Sequence, residues 1–166
     1  MSILNERSLE EIRDLAIKAK SSYAAFFKGI SKKQSRRLDE VVHTLHEEVF
    51  EEIDCLDCAN CCKSISPMIT LRDIERLAKR LRMKPAAVVD QYMELDNEGD
   101  YVFRETPCPF LMPDNYCMVY TDRPKACREY PHTDRRKFYQ LRNLTLKNTE
   151  VCPAVFLVLE RLQNRF

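Results

Sequence analysis

The sequence contains very little glycine, no tryptophan and no long apolar run. Gly29 and Gly99 are its only glycines, and phosphate-binding loops and dinucleotide-binding turns need several glycines close together. Those classes of nucleotide-binding protein are therefore excluded. No apolar run approaches the ~18 residues that a membrane helix needs, and residues 1–7 have no apolar segment typical of a secretory signal. We expect a cytoplasmic protein without a membrane partner.

Charge of one sign is also lacking. The 166 residues carry 27 basic and 26 acidic side chains, for a net charge of +1, so we expect no nucleic-acid partner. No Ser–His–Asp, paired-carboxylate or His-Glu-x-x-His pattern occurs, and the sequence identifies no catalytic residue. A hydrophobic share of 45% is ordinary for a globular chain that can bury a real core.

Helical periodicity dominates the first third of the chain. Ser8 and Glu11 form a capping box, and apolar residues at steps of three and four follow as far as Phe26. A second apolar stripe runs from Leu38 to Ile53. These patterns predict a helical hairpin over residues 1–53, which could also dock a protein partner if its apolar face stays uncovered.

Residues 54–166 are predicted as a second, cysteine-rich domain that metal organises. Thr70 and Pro85 mark the starts of two helices, and Pro153 begins a C-terminal one. Tyr101–Phe103 alternates weakly as a strand, with Tyr116–Val119 as its expected partner. The predicted fold class is therefore mostly α with minor β.

Eight cysteines are the most informative residues. Disulfides are rare in the cytosol, so these thiols are expected to bind metal. A sulfur-only set favours zinc or iron, including iron in an iron–sulfur cluster, over magnesium or calcium. The predicted metal ligands are Cys55, Cys58, Cys61, Cys62, Cys108, Cys117, Cys127 and Cys152.

The first four cysteines form the pattern C-x2-C-x2-C-C, whose two-residue gaps let thiolates turn toward one ion. Cys61 and Cys62 are adjacent, and neighbouring side chains of an extended chain point to opposite sides. One of the two is therefore expected to face a different metal or the core. Eight ligands would divide into two four-thiolate sites, but the grouping stays open.

Two arginines flank Cys127 in a segment bounded by prolines. Arg123 and Arg128 could offset the negative charge of thiolates or hold an anion. The alternative is ordinary ion pairing, with Asp122 and Glu129 as partners. The sequence does not separate these roles.

Together these motifs resemble the CxxCxxCC cysteine-cluster family, a zinc- or iron-chelating domain of bacteria. The resemblance spans about residues 55–153 and leaves out the helical hairpin. Its pieces are Cys55–Cys62, Ile69–Thr70, Cys108–Leu111, Cys117–Tyr120, Arg123–Pro124, Cys127–Pro131 and Cys152–Pro153. The resemblance implies a metal-bound cysteine cluster and no particular reaction.

The expected function is therefore metal binding through cysteine thiolates, with no demonstrated catalysis. One alternative is an iron–sulfur oxidoreductase or a methyltransferase-like enzyme, since flagellin lysine N-methylase has a similar cysteine pattern. The sequence shows no separate methyl-donor region, however. Another alternative is a module for metal storage or delivery.

Overall fold

The computed structural model describes residues 8–166, which are mostly helical with one two-stranded sheet. The predicted fold class is confirmed. The helices are α1 Leu9–Gly29, α2 Ser35–Glu52, α3 Cys55–Cys58, α4 Asn60–Ser64, α5 Leu71–Leu81, α6 Pro85–Tyr92, α7 Lys125–Glu129, α8 Arg142–Asn148 and α9 Pro153–Arg165. The strands are β1 Met93–Leu95 and β2 Tyr101–Phe103. Within the described chain, no helix is both long and apolar enough to cross a membrane.

The chain folds into two compact units. Unit 1 contains the described residues up to Cys55 together with Pro131–Phe166, and unit 2 is Leu56–Tyr130. The C-terminal helix is thus grouped with the N-terminal helices. The division into domains 1–53 and 54–166 stays a prediction about which parts of the chain fold independently.

Unit 1 is a helical assembly whose core is completed by α9. The predicted capping box begins α1, where the Glu11 amide donates to Ser8 Oγ at 3.2 Å and the Ser8 amide donates to Glu11 Oε2 at 2.7 Å. Helix α9 packs against both α1 and α2, and Pro153–Leu159 is buried along its whole length. The apolar stripes of α1 and α2 are therefore covered by α9 rather than by each other, and the use of these helices as a partner surface stays a prediction.

Unit 2 combines α5 and α6 with the small sheet around a second apolar core. Strands β1 and β2 pair antiparallel, with Met93 opposite Phe103. Between them Gly99 takes a left-handed φ of 84°, a conformation that glycine adopts at little cost in the tight turn.

The predicted partner of Tyr101–Phe103 is therefore wrong. Helix α6 ends at Tyr92, so the chain is already extended at Met93 and pairs across the next turn. Tyr116–Val119 forms no strand with β2. Instead Cys117 makes an isolated antiparallel bridge with Leu111.

The carboxylate of Asp73 fastens the start of α5 to the segment before α7. Asp73 is only 1% exposed. Its Oδ2 accepts from the Thr70 amide at 3.0 Å and the Thr70 hydroxyl at 2.6 Å. Its Oδ1 accepts from the Lys125 amide at 3.0 Å and from Arg76 Nη2 at 2.5 Å. The carboxylate that caps the start of α5 thus also holds a segment distant in sequence.

Arg76 extends this network to the backbone just before α7. Its guanidinium donates to the carbonyl oxygens of Arg123 at 2.8 Å and Asp122 at 3.2 Å. Since Arg76 also binds Asp73, a single ion pair on α5 fixes the chain that leads into Cys127.

Replacing Asp73 with alanine should therefore destabilise unit 2 strongly. The change leaves the Lys125 amide and the Arg76 guanidinium without their acceptor, and removing one member of a buried ion pair costs about 3 kcal/mol or more. Urea unfolding of the metal-free protein measures the loss. The matched control is Glu40→Ala, which removes the exposed pair with Arg36 at 3.2 Å and should cost less than about 0.5 kcal/mol. Equal losses in the two variants would contradict the assigned role of Asp73.

A half-buried histidine makes unit 1 sensitive to acid. His46 Nδ1 lies 2.7 Å from the Thr133 hydroxyl, and Thr133 is fully buried. Burial lowers the pKa of His46 below 6.5, while the charge of Asp134 acts in the opposite direction. The unfolded chain therefore takes up this proton at a higher pH than the folded chain does.

The contribution of His46 to stability is thus complete above the unfolded pKa of about 6.5 and is lost as the pH falls through and below that value. Urea midpoints measured between about pH 7.5 and pH 5 should fall for the native protein. They should fall less for His46→Gln, which cannot take up the proton. An unchanged pH dependence in that variant would rule out His46 as the titrating group.

Candidate metal centre

The C-x2-C-x2-C-C segment folds as two short helices joined at Ala59. Helix α3 ends at Cys58, Ala59 has a left-handed φ of 48°, and α4 begins at Asn60. Cys61 and Cys62 lie on α4, with their Sγ atoms 4.0 Å apart. The expectation that they point to opposite sides is wrong, because it assumed extended chain and these residues are helical.

Backbone hydrogen bonds connect Cys108 to the C-x2-C-x2-C-C segment, and they connect the chain around Cys117 to the residues that follow Cys108. The Cys108 amide donates to the Cys62 carbonyl at 2.8 Å. Cys117 bridges to Leu111, and the Met118 amide donates to the Phe110 carbonyl at 2.9 Å. Cys127 lies on α7, and the Asp73 network holds the chain at the start of this helix. Segments that are far apart in sequence are thus joined within unit 2.

Four thiols of unit 2 lie within electrostatic range of one another. The thiols of Cys62, Cys108 and Cys117 all act on Cys127, while Cys62 acts on Cys108 and Cys117. Cys62 is the common member, and it also affects the thiol of Cys58. We call Cys62, Cys108, Cys117 and Cys127 the four-thiol group.

Backbone N–H groups are directed at Cys58 and at two members of the four-thiol group, and such donors favour the anionic form of the sulfur. In three pairs the donor lies two residues after the cysteine: Asn60 with Cys58, at 3.4 Å, Phe110 with Cys108, and Val119 with Cys117. The Leu111 amide is a second donor to Cys108. Each of these N–H groups stabilises the ionised form of the sulfur that it faces.

Burial nevertheless keeps most of the group protonated near neutral pH. It raises the pKa of Cys127 to about 12 and that of Cys108 to about 11, and the neighbouring thiols add to both shifts. Burial likewise raises the pKa of Cys117, against the Val119 amide. A bound cation would reverse this balance, since a coordinating thiol is deprotonated outright.

Cys62 is the exception within the four-thiol group. A hydrogen bond from the Cys61 thiol lowers its pKa to about 7, helped by the charges of Arg123 and Lys63 and opposed by burial. The Lys63 ammonium is held nearby because its Nζ donates to the Cys58 carbonyl at 3.0 Å. Cys62, whose thiol acts on the other three members of the four-thiol group, is thus also the member that ionises most readily.

The distances between the sulfurs determine which metal centre they can bind without moving. Four sulfurs about 2.3 Å from one zinc lie only ~3.8 Å from each other. Within residues 8–166, no three cysteine, histidine, aspartate or glutamate side chains are grouped closely enough to ligate one ion. The four-thiol group therefore has the right donor chemistry for a soft metal but a wider spacing than one bound ion requires.

The structure distinguishes the two arginines beside Cys127. Arg123 acts electrostatically on Cys62, Cys117 and Cys127, whereas the Arg128 side chain is exposed on α7. Asp122, the expected ion-pair partner of Arg123, instead lies 3.9 Å from Arg80 Nε.

The remaining predicted ligands occupy other surroundings. Cys58 is buried, and Cys61 contacts Cys62. Cys55 is exposed at the start of α3, and Cys152 precedes α9 and packs against the core of unit 1. All eight cysteines are thiols rather than disulfides. Sequence reasoning missed the roles of Arg76 and Lys63 near the group, and only the i, i+3 spacing of Asp73 and Arg76 offered a signal for the first.

Comparison with known proteins identifies the family. Residues 54–153 match the CxxCxxCC family, described as "Putative zinc- or iron-chelating domain". Because the match covers more than half of the chain, the protein belongs to the CxxCxxCC family. No curated protein and no solved structure matches it significantly.

The ionisation of Cys62 predicts a selective reaction. In the metal-free protein near pH 7, iodoacetamide should modify Cys62 faster than Cys108 or Cys127, because the thiolate is the reactive form. Peptide mass spectrometry after brief labelling measures the order. Cys61→Ala removes the hydrogen-bond donor and should slow the labelling of Cys62, whereas Cys61→Ser keeps a donor and should slow it less. Faster labelling of Cys127 than of Cys62 would contradict these surroundings.

Proposed function

We propose that this protein binds a soft metal centre through the thiolates of Cys62, Cys108, Cys117 and Cys127, as an iron–sulfur cluster or as zinc. One observation carries the proposal. Three separate segments of unit 2 bring these four thiols into one another's electrostatic field. Membership of a family described as zinc- or iron-chelating supports it.

The chemistry of the donors supports sulfur ligation over other roles. The Cys62 thiol raises the pKa of each of the other three thiols, so the four are unfavourable neighbours once they ionise, and a cation removes that cost. The N–H groups directed at Cys108 and Cys117 and the charge of Arg123 would further stabilise an anionic thiolate centre. Oxygen-preferring ions such as magnesium and calcium find no comparable advantage here.

Thiolate donors suit both an iron–sulfur cluster and a single zinc ion. A cluster places its thiolate ligands around a larger body, whereas a single zinc ion requires the four sulfurs to lie about 3.8 Å from each other. Cys58 and Cys61 are the next candidate ligands because both interact with Cys62. Cys55 and Cys152 remain ligands predicted from the sequence.

Protein purified without oxygen should contain stoichiometric metal. Iron with acid-labile sulfide and a brown colour would support the cluster, and colourless protein with zinc would support the single-ion form. Elemental analysis together with an absorption spectrum makes the distinction. Protein that contains neither metal, and takes up neither when reconstituted, would contradict the proposal.

Single cysteine-to-serine variants test the ligand set. Cys62→Ser, Cys108→Ser, Cys117→Ser and Cys127→Ser should each lose most of the bound metal, because each removes a first-sphere thiolate. Cys55→Ser and Cys152→Ser are matched thiol-removing variants in unit 1. Metal retained by those two and lost by the first four would support a centre within unit 2. Full metal content in Cys108→Ser or Cys127→Ser would contradict the proposed set.

A further inference from the structure

Arg123 is held at the four-thiol group by its backbone and by its side chain. Its carbonyl oxygen accepts from Arg76 Nη2 at 2.8 Å, and the next residue but one, Lys125, donates its amide to the buried Asp73. The Arg123 guanidinium carbon lies 3.8 Å from the centroid of the Tyr120 ring. The hydrogen bond thus fixes the backbone of Arg123, and the contact with the Tyr120 ring positions its side chain.

The Nε–H of Arg123 has no hydrogen-bond acceptor in the described part of the chain although the atom is buried. A buried donor without an acceptor destabilises the folded protein, and such groups are rare in native structures. The same side chain acts electrostatically on Cys62, Cys117 and Cys127. Neutral thiols are weak acceptors, whereas thiolates and the sulfides of a cluster carry negative charge.

We propose that Arg123 is a positioning residue for the metal centre, and that its Nε–H donates to a negatively charged sulfur of the loaded centre while its guanidinium offsets the centre's charge. This inference rests on the proposed function. It assigns the buried donor an acceptor that is present only when the sulfurs are ionised. The Tyr120 ring contacts the guanidinium and so limits its orientations.

The role is specific to Arg123 rather than to any arginine near Cys127. Arg128 lies on the same short helix as Cys127, but its side chain is exposed. It is therefore a matched control for charge and composition. Its loss should leave the environment of the sulfurs unchanged.

Titration of the metal-free full-length protein with cobalt(II) tests the proposal, because thiolate-to-cobalt absorption reports binding directly. Arg123→Met should weaken cobalt binding by about 10- to 100-fold, as loss of such supporting hydrogen bonds does at other metal sites. Arg128→Met should stay within about twofold of the native protein, since a solvent-exposed charge contributes little. The pH of half-loading should also move upward in Arg123→Met, because protons then compete better for the sulfurs.

Arg123→Lys keeps a positive charge but lacks the Nε–H and the planar group, so its affinity should fall between those of the native protein and Arg123→Met. Circular dichroism verifies that each variant is folded. If Arg123→Met does not fold, the affinity of Arg123→Lys tests the proposal. Native affinity and an unshifted pH of half-loading in the folded Arg123 variants would overturn this inference while leaving the proposed centre intact. Native protein that binds none of cobalt, zinc and iron would instead overturn the proposed function.

Discussion

The buried carboxylate of Asp73 is the interaction on which the organisation of unit 2 depends. It caps α5 locally and, through the Lys125 amide and Arg76, holds the segment that contains Arg123 and leads into Cys127. An ionised group that is 1% exposed persists only because four hydrogen bonds satisfy it. The same constraint therefore sets both a helix boundary and the position of two residues of the candidate centre.

Local physics explains what the sequence could predict. Helices α1, α2, α5 and α9 follow from apolar periodicity and from Ser8, Thr70 and Pro153 at their starts, because these signals act over a few residues. The strand that pairs with β2 could not be predicted as reliably from the sequence. Met93 can extend α6 or begin a strand, and that choice depends on contacts with Phe103 across the turn.

The candidate centre shows the same division between local and distant information. The sequence identified every cysteine as a candidate ligand, yet it could not tell which of them interact. The electrostatic interaction of Cys62 with Cys108, Cys117 and Cys127 depends on the long-range fastening of three segments. Arg123 and Arg128 looked equivalent for the same reason, since only burial separates their side chains. The reasoning about Cys61 and Cys62 failed because it took the local backbone to be extended.

Unit 1 is assembled from chain on both sides of Leu56–Tyr130, and α9 supplies much of its interior. During synthesis on the ribosome, all the residues of unit 2 emerge before the first residue of α9 does. Helices α1 and α2 therefore lack the α9 surface that buries their apolar residues until α9 itself has emerged. The stage at which unit 1 is most prone to misassembly thus falls after all of unit 2 has been synthesised.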